Sequence, residues 1–162
     1  MKPTWRLAAC LALFAALVVP VLGQSGGGKV VPKLEPIAET RLLMEGLAHA
    51  NFRGLERNLT KTPIDDQSWT FARGQALLIA ETANLLMLRP PKSQGEAVWF
   101  ERAMDLRKEA TGLALKLANK DLERGKAGLL NLAKSCNRCH QSFKVPIEIV
   151  PFQPPEAPGR KV

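Results

Sequence analysis

Apolar residues recur at intervals of three and four positions in four successive stretches of this chain, the spacing that places them on one face of an α-helix. The predicted apolar faces are Met44, Ala48, Phe52, Leu55 and Leu59; Trp69, Ala72, Ala76, Ile79, Ala83 and Leu86; Trp99, Ala103, Leu106, Ala110, Leu113 and Leu117; and Leu122, Gly125, Leu129, Leu132, Cys136, Cys139 and Phe143. Four amphipathic helices with short connections predict an all-α fold, an antiparallel up-down-up-down four-helix bundle. An α-solenoid is the alternative, but no unit of fixed period repeats.

Local signals predict where the first two helices begin and end. The first is expected to run from near Pro36 to about Leu59, because proline suits the first turn of a helix. The second is expected to open at Thr62-Pro63-Ile64-Asp65, with Thr62 as its cap, and to stop before the prolines that follow Arg89.

The signals for the other two helices are of the same kind. Ser93-Gln94-Gly95-Glu96 is a capping box that is expected to start the third helix. The fourth is expected to begin at Asn119 or Asp121, and the prolines after Val145 exclude further helix. This last segment is therefore expected to be unnecessary for forming the bundle.

The beginning of the chain has a different character. Lys2 and Arg6 precede an apolar run from Leu7 to Leu22, and Val21-Leu22-Gly23 resembles a cleavage site. This order is typical of a secretory signal peptide, and the run is shorter than the ~20 residues of a membrane span. The expected organisation is a signal peptide at 1–23, a flexible lead-in at 24–35, a four-helix-bundle domain at 36–145 and a proline-rich tail at 146–162.

Export limits the kinds of binding partner that the net positive charge of the chain suggests. Without residues 1–23 the chain keeps 21 basic and 15 acidic side chains, a net charge of +6. A periplasmic or otherwise exported protein has little access to nucleic acid, and no membrane span is expected after the signal is removed. An anionic protein partner or membrane surface suits the charge better, and an evenly solvated basic surface is the plainer interpretation.

The stretch SCNRCHQSFK, residues 135–144, contains two of the three cysteines and one of the two histidines. Cys136, Cys139 and His140 form Cys-x-x-Cys-His, the c-type haem attachment pattern. The two thiols add across the vinyl groups of haem, and the adjacent imidazole binds the iron. Residues at i, i+3 and i+4 share one helix face, and here that face is apolar, so the haem is expected to enter the core.

Two other chemistries use the same residue types. In an oxidising compartment Cys136 and Cys139 could form a redox-active disulfide, although that motif normally lies where a helix follows a strand. A zinc site needs four ligands, and the second histidine, His49, is expected to face solvent. The pattern favours covalent haem, and both alternatives stay open.

With its signal peptide, four helices and single Cys-x-x-Cys-His on the fourth helix, the chain resembles the class II c-type cytochromes, the family of cytochrome c′ and cytochrome c556. The resemblance covers about residues 36–145 and is most specific at Cys136–Lys144, which matches the ending Cys-x-x-Cys-His-x-x-(aromatic)-(basic). It implies one haem c bound covalently by Cys136 and Cys139, with His140 as an axial iron ligand. The proline-rich tail departs from the family and is expected to cover the haem edge or to bind a partner.

The resemblance places the sixth iron ligand on the first helix, where Arg41-Leu42-Leu43-Met44 is similar to the family's Arg-x-x-(x)-Met arrangement. Met44 is therefore the candidate ligand, although a methionine on an apolar face is more often core. Met87 and Met104 are the alternatives. His49, five residues beyond Met44, is about 140° away on an α-helix and shares a polar face.

Charged and aromatic residues complete the set of candidates. Arg41 and Lys144 are expected to pair with a haem propionate or to order the proximal side, and a plain solvated charge is the alternative for each. Trp69 and Trp99 are expected to lie in the core or against the haem.

The implied function is electron transport by an exported monohaem cytochrome, which is not an enzyme. A five-coordinate protein that binds nitric oxide or carbon monoxide is the alternative, and an unfilled iron face would distinguish it. A haem peroxidase is a third idea, but it would want a polar distal group. The expected partner is a redox protein, and pairing into a homodimer is common in the family.

Overall fold

All of the regular structure in the described part of the chain is helical. The structure, a computed structural model, describes residues 33–62, 64–92 and 95–152, and within them it contains four helices and no strand. From Leu34 onward the described residues belong to one compact unit. The all-α prediction is confirmed for this part of the chain. The predicted signal peptide lies outside it, as do most of the lead-in and the last ten residues of the tail.

The four helices have the following bounds. Helix α1 is continuous but has three segments, α-helical Thr40–Leu43, π-helical Met44–His49 and α-helical Ala50–Thr60. Helix α2 is Asp66–Met87, α3 is Glu96–Ala118 and α4 is Leu122–Ser142. Among the described residues, no helix combines the length and the apolar character that a membrane crossing requires.

Two helix starts differ from the predictions. Helix α1 begins at Thr40 rather than near Pro36, and Ile37 before it is 91% exposed, so no burial favours an earlier turn. Helix α2 is capped by Asp65, whose carboxylate accepts a hydrogen bond from the Ser68 amide at 2.6 Å. Thr62 is therefore not its cap. Carboxylates serve as well as hydroxyls in this role, and Asp65 is the nearer residue to the apolar face.

The start of helix α3 also differs from its prediction, whereas the start of helix α4 agrees with it. The residue before α3 is Gly95, with a φ of 87° that favours glycine, so the helix does not begin from a Ser93 cap. Ser93 itself lies outside the described residues. Helix α4 starts as predicted, with Asp121 accepting a hydrogen bond from the Arg124 amide at 2.9 Å.

The four predicted apolar faces meet in one core. Its largest fully buried apolar side chains come from α1, α3 and α4, and small residues of α2 allow the helices to approach closely. The fully or almost fully buried members are Leu55, Leu59, Ala72, Ala76, Ala83, Ala110, Leu113, Leu117, Leu129 and Leu132. Met44, Trp99 and Cys136 are partly buried and pack against this core. The periodicity therefore predicted the interior of the protein correctly.

Candidate cofactor-binding cavity

A cavity of about 640 Å³ opens next to the core, near the end of α4. All four helices contribute to its wall, together with the non-helical residues Val145, Ile147 and Ile149. The wall is mostly apolar, and the volume lies within the range of roughly 300–1,000 Å³ that cofactor pockets occupy. A large apolar ligand is what such a space can hold.

The three residues of the Cys-x-x-Cys-His motif all line this cavity. Cys136, Cys139 and His140 lie on one face of α4, as their spacing predicted. Both cysteines are free thiols. Burial raises the pKa of Cys136 to about 12. Burial also raises the pKa of Cys139, and the nearby positive charge of Arg102 opposes part of that rise. The thiols are therefore held protonated at neutral pH.

The imidazole of His140 is held by a backbone carbonyl. Its Nδ1 lies 2.8 Å from the oxygen of Ile147. Because a carbonyl oxygen only accepts hydrogen bonds, Nδ1 carries the proton and Nε2 keeps the free lone pair. This is the arrangement usual for a metal-binding histidine, whose second nitrogen donates to a carbonyl or carboxylate.

Met44 lines the cavity from α1, and the local form of that helix decides which residues accompany it. Met44 begins the π-helical segment Met44–His49, in which hydrogen bonds join residues five apart. Residues five apart therefore lie closer to one face than they do in an α-helix, and His49 also borders the cavity although its side chain is exposed. His49 is exposed, as expected, but its predicted separation of about 140° from Met44 assumed an α-helical repeat, which this π-helical segment does not have.

The two predicted cationic contacts differ in position. Arg41 lines the cavity and donates a hydrogen bond from Nε to Glu45 at 2.8 Å. Lys144 is absent from the cavity wall in the described part of the chain, so no contact with the cavity supports its predicted role. Lys144 has a φ of 55° and forms the left-handed end of α4. Its amide donates a hydrogen bond to the Gln141 carbonyl, and the Val145 amide donates one to the His140 carbonyl. This is a Schellman turn, which redirects the chain.

Of the remaining candidate residues, the methionines and tryptophans, only one lines the described cavity wall. Met104 is 48% exposed, and neither it nor Met87 is among the cavity-lining residues that the structure describes. Trp69 is buried in the core, as expected. Trp99 lines the cavity, donates from Nε1 to the Leu86 carbonyl at 2.7 Å, and meets Phe143 edge to face at a centroid distance of 5.1 Å.

Two polar residues of the cavity were not anticipated from the sequence. Arg102 of α3 lines the wall and reaches Asp105 at 3.1 Å and the Ser142 hydroxyl at 3.4 Å. Ser135 is 1% exposed, and within the described residues its hydroxyl is a buried oxygen with no hydrogen-bond partner. Ser135 could be noticed only as the neighbour of Cys136, while Arg102 carries no sequence signal because it flanks the apolar face.

The residues present fit a c-type haem. The wall supplies two thiols for covalent attachment, an imidazole with a free lone pair, a thioether across from another helix, and arginines suited to carboxylates. Ser135 adds an unsatisfied buried hydroxyl that a ligand could meet. In the described part of the chain, no three Cys, His, Asp or Glu side chains converge to hold a metal ion by themselves.

Comparison with known proteins adds no relative. No protein-family model matches the chain, and no curated protein matches it.

Proposed function

We propose that this protein is an exported monohaem c-type cytochrome of the class II kind, an electron carrier without enzymatic activity. Its four helices would then form the antiparallel up-down-up-down bundle predicted from the sequence. The observation that carries the proposal is that Cys136, Cys139, His140 and Met44 all line one apolar cavity of about 640 Å³. Three of these residues form the attachment motif, and the fourth comes from a different helix.

Each residue of the cavity has a distinct task in this proposal. The Sγ atoms of Cys136 and Cys139 would form the thioether bonds to haem c, and Nε2 of His140 would bind its iron. Met44 would supply a thioether to the same iron, which would raise the reduction potential because sulfur favours the ferrous state. Bound there, haem supplies one-electron redox chemistry, and the apolar wall around it excludes water. Arg41 and Arg102, which line the same cavity, would pair with the haem propionates.

The thiol pKa values argue against a dithiol redox site, the first alternative. Reactive cysteines in such sites have lowered pKa values, because a nearby positive charge or a helix N-terminus stabilises the thiolate. Here burial raises the pKa of Cys136 to about 12, and both thiols lie in the last two turns of α4. Thiols of this kind are poor nucleophiles at neutral pH, unlike those of a dithiol redox site.

The setting of the protein follows from the same proposal. Residues 1–23 direct export to the periplasm or an equivalent compartment, and the mature chain meets an anionic redox partner through its basic surface. A homodimer is consistent with the family, while nucleic acid has no part in the function. The gas-binding alternative has one supporting observation, since Met44 is only partly buried and an apolar cavity also admits nitric oxide or carbon monoxide.

The proposal is tested by measuring whether haem is attached covalently to the chain. The full chain, expressed with a c-type maturation system, should retain one haem per chain after denaturation and reduction, and should show a two-thioether haemochrome band. Cys136→Ala with Cys139→Ala should abolish the retained haem, whereas Lys134→Ala, an exposed change on the same helix, should leave it intact. Haem that acid–organic solvent extracts from the unmodified protein would contradict the central claim.

The optical spectrum then separates the two functions. An electron carrier with both iron faces filled by protein should be low-spin in both oxidation states and bind carbon monoxide slowly. A high-spin spectrum of the unmodified protein, with rapid uptake of carbon monoxide or nitric oxide, would favour gas binding instead.

A further inference from the structure

The residues after α4 do not leave the body of the protein. Val145–Phe152, called the strap below, turns back from the Schellman end of α4 and contributes Val145, Ile147 and Ile149 to the cavity wall. Ile149 and Phe152 are also partly buried against the hydrophobic core. A proline-rich segment without helical hydrogen bonds therefore has a defined path.

Two side chains hold the strap at separate points. Asn137, between the two cysteines, makes a reciprocal pair with Ile149, donating from Nδ2 to its carbonyl at 2.9 Å and accepting from its amide at 2.8 Å. Glu56 of α1 accepts a hydrogen bond from the amide of Phe152. The Glu56 side chain is only 12% exposed and is also paired with Arg53 at 2.7 Å. Such charge-assisted, partly buried bonds are the stronger class.

The strap also contacts the imidazole ring of His140. Between the Schellman turn and Ile149 lies Ile147, whose carbonyl accepts from Nδ1 of His140 at 2.8 Å. The carbonyl is fixed on one side by the turn at Lys144 and on the other by the Asn137–Ile149 pair. Both the tautomer and the ring orientation of His140 consequently depend on the path of the strap.

We propose that the strap is a positioning element for the axial ligand, in which Asn137 and Glu56 hold the Ile147 carbonyl against Nδ1 of His140. This inference rests on the proposed haem function and deepens it. A carbonyl that accepts from Nδ1 makes the imidazole a stronger electron donor through Nε2 and so lowers the reduction potential of the iron. The same hydrogen bond slows the exchange of the Nδ1 proton with solvent. Neither Asn137 nor Glu56 is among the described residues that line the cavity, and both act through His140.

The test compares four forms of the full-length haem protein. These are the unmodified chain, Asn137→Ala, Glu56→Ala, and Asn131→Ala as the matched control, because Asn131 is an exposed asparagine of the same helix. Two quantities are measured at equal haem content: the solvent exchange rate of the His140 Nδ1 proton by NMR, and the reduction potential. Releasing the strap should accelerate the exchange about tenfold or more, the change expected for losing about 1.4 kcal/mol of hydrogen bonding.

The expected result is faster exchange and a higher reduction potential in Asn137→Ala and Glu56→Ala, with no change in Asn131→Ala. Because the Ile149 amide is one of the bonded groups, its own hydrogen exchange should accelerate in Asn137→Ala. A purely structural role would lower stability without moving the potential. Asn137→Asp keeps the acceptor for the Ile149 amide and should restore part of the protection.

The results that would overturn the inference alone differ from the result that would also overturn the proposed function. Haem-loaded Asn137→Ala and Glu56→Ala proteins that match Asn131→Ala in exchange and potential would overturn the inference alone. If Asn137→Ala fails to load haem, Glu56→Ala decides, because Glu56 lies on α1, outside the attachment motif. Absence of attached haem from every form, including the unmodified chain, would overturn the proposed function and the inference with it.

Discussion

At the scale of single residues, Met44 and His49 offer two different donors to the same cavity. Met44 is partly buried and packs against the core, whereas His49 is exposed and its Nε2 accepts a hydrogen bond from Arg53 at 3.3 Å. A thioether that already lies against apolar groups loses little solvation on binding iron. An imidazole engaged with Arg53 must first give up that bond. These differences favour Met44 as the sixth ligand.

In the proposed haem protein, replacing Met44 by Ala should therefore open one face of the iron. The expected result is a high-spin ferrous spectrum and rapid carbon monoxide binding. The cost in unfolding free energy should be about 2 kcal/mol, the low end for a core methionine, because the side chain is only partly buried. The measurements are the optical spectrum, carbon monoxide mixing kinetics and denaturant unfolding.

His49→Ala is the matched control for this change and should keep the low-spin spectrum. The assignment would be contradicted if Met44→Ala stayed low-spin while His49→Ala became high-spin, since His49 would then be the ligand. A second control, Met104→Ala, removes a methionine that is 48% exposed and outside the described cavity wall.

Single residues also show where sequence reasoning succeeds and where it fails. The placement of Cys136, Cys139 and His140 on one face of the fourth helix follows from a spacing of three and four, which geometry alone dictates. Arg102 could not be predicted in the same way. An arginine beside an apolar face is usually solvated, and only the packing of α3 against α4 brings this one into the cavity wall.

At the scale of the helix, the same distinction holds for α1. Its apolar spacing correctly predicted buried Ala48, Phe52, Leu55 and Leu59. The π-helical turn at Met44–His49 was not predictable from that spacing, because one wider turn leaves the apolar pattern on either side almost unchanged. Such turns occur frequently at functional sites, and here the turn borders the cavity.

The contact between α1 and α2 depends on a glycine. A Cβ at Gly54 would overlap the amide nitrogen of Gln75, and Gln75 is buried and accepts a hydrogen bond from Asn58 at 3.1 Å. Gly54→Ala should therefore lower the unfolding free energy by about 1–3 kcal/mol, since Gln75 must move and leave the Asn58 amide unsatisfied. Denaturant unfolding measures the change.

Gly112→Ala provides the control for helix propensity, because a Cβ at Gly112 would meet nothing within 4 Å. That substitution should stabilise the protein by about 0.5–1 kcal/mol. The close approach of α1 and α2 would be disproved if Gly54→Ala gave the same stabilisation as Gly112→Ala.

At the scale of the whole molecule, the fold extends beyond the four helices. The periodicity ends at Phe143, so the sequence indicated a separate tail from residue 146 onward. Within that tail, the strap nevertheless contacts the helices and the core. Its contacts are made by backbone groups and by isolated apolar residues, Ile149 and Phe152, which have no periodic pattern to reveal them. Val145, Ile147 and Ile149 line the cavity, so in the proposed haem protein the strap would cover an edge of the haem.

Two truncations separate the strap from the rest of the tail. Ending the chain after Val145 removes Ile149 and Phe152 from the core surface and breaks the bonds to Asn137, Glu56 and His140. Two half-buried apolar side chains and these hydrogen bonds should together contribute about 2–3 kcal/mol. The helices should still form, because their own core is intact, so helical circular dichroism should persist while the denaturation midpoint falls. Ending the chain after Phe152 breaks none of these contacts and should leave the midpoint unchanged. Equal midpoints for the two truncated proteins would show that the strap adds nothing to stability, and the haem domain would then end at residue 145 as the sequence indicated.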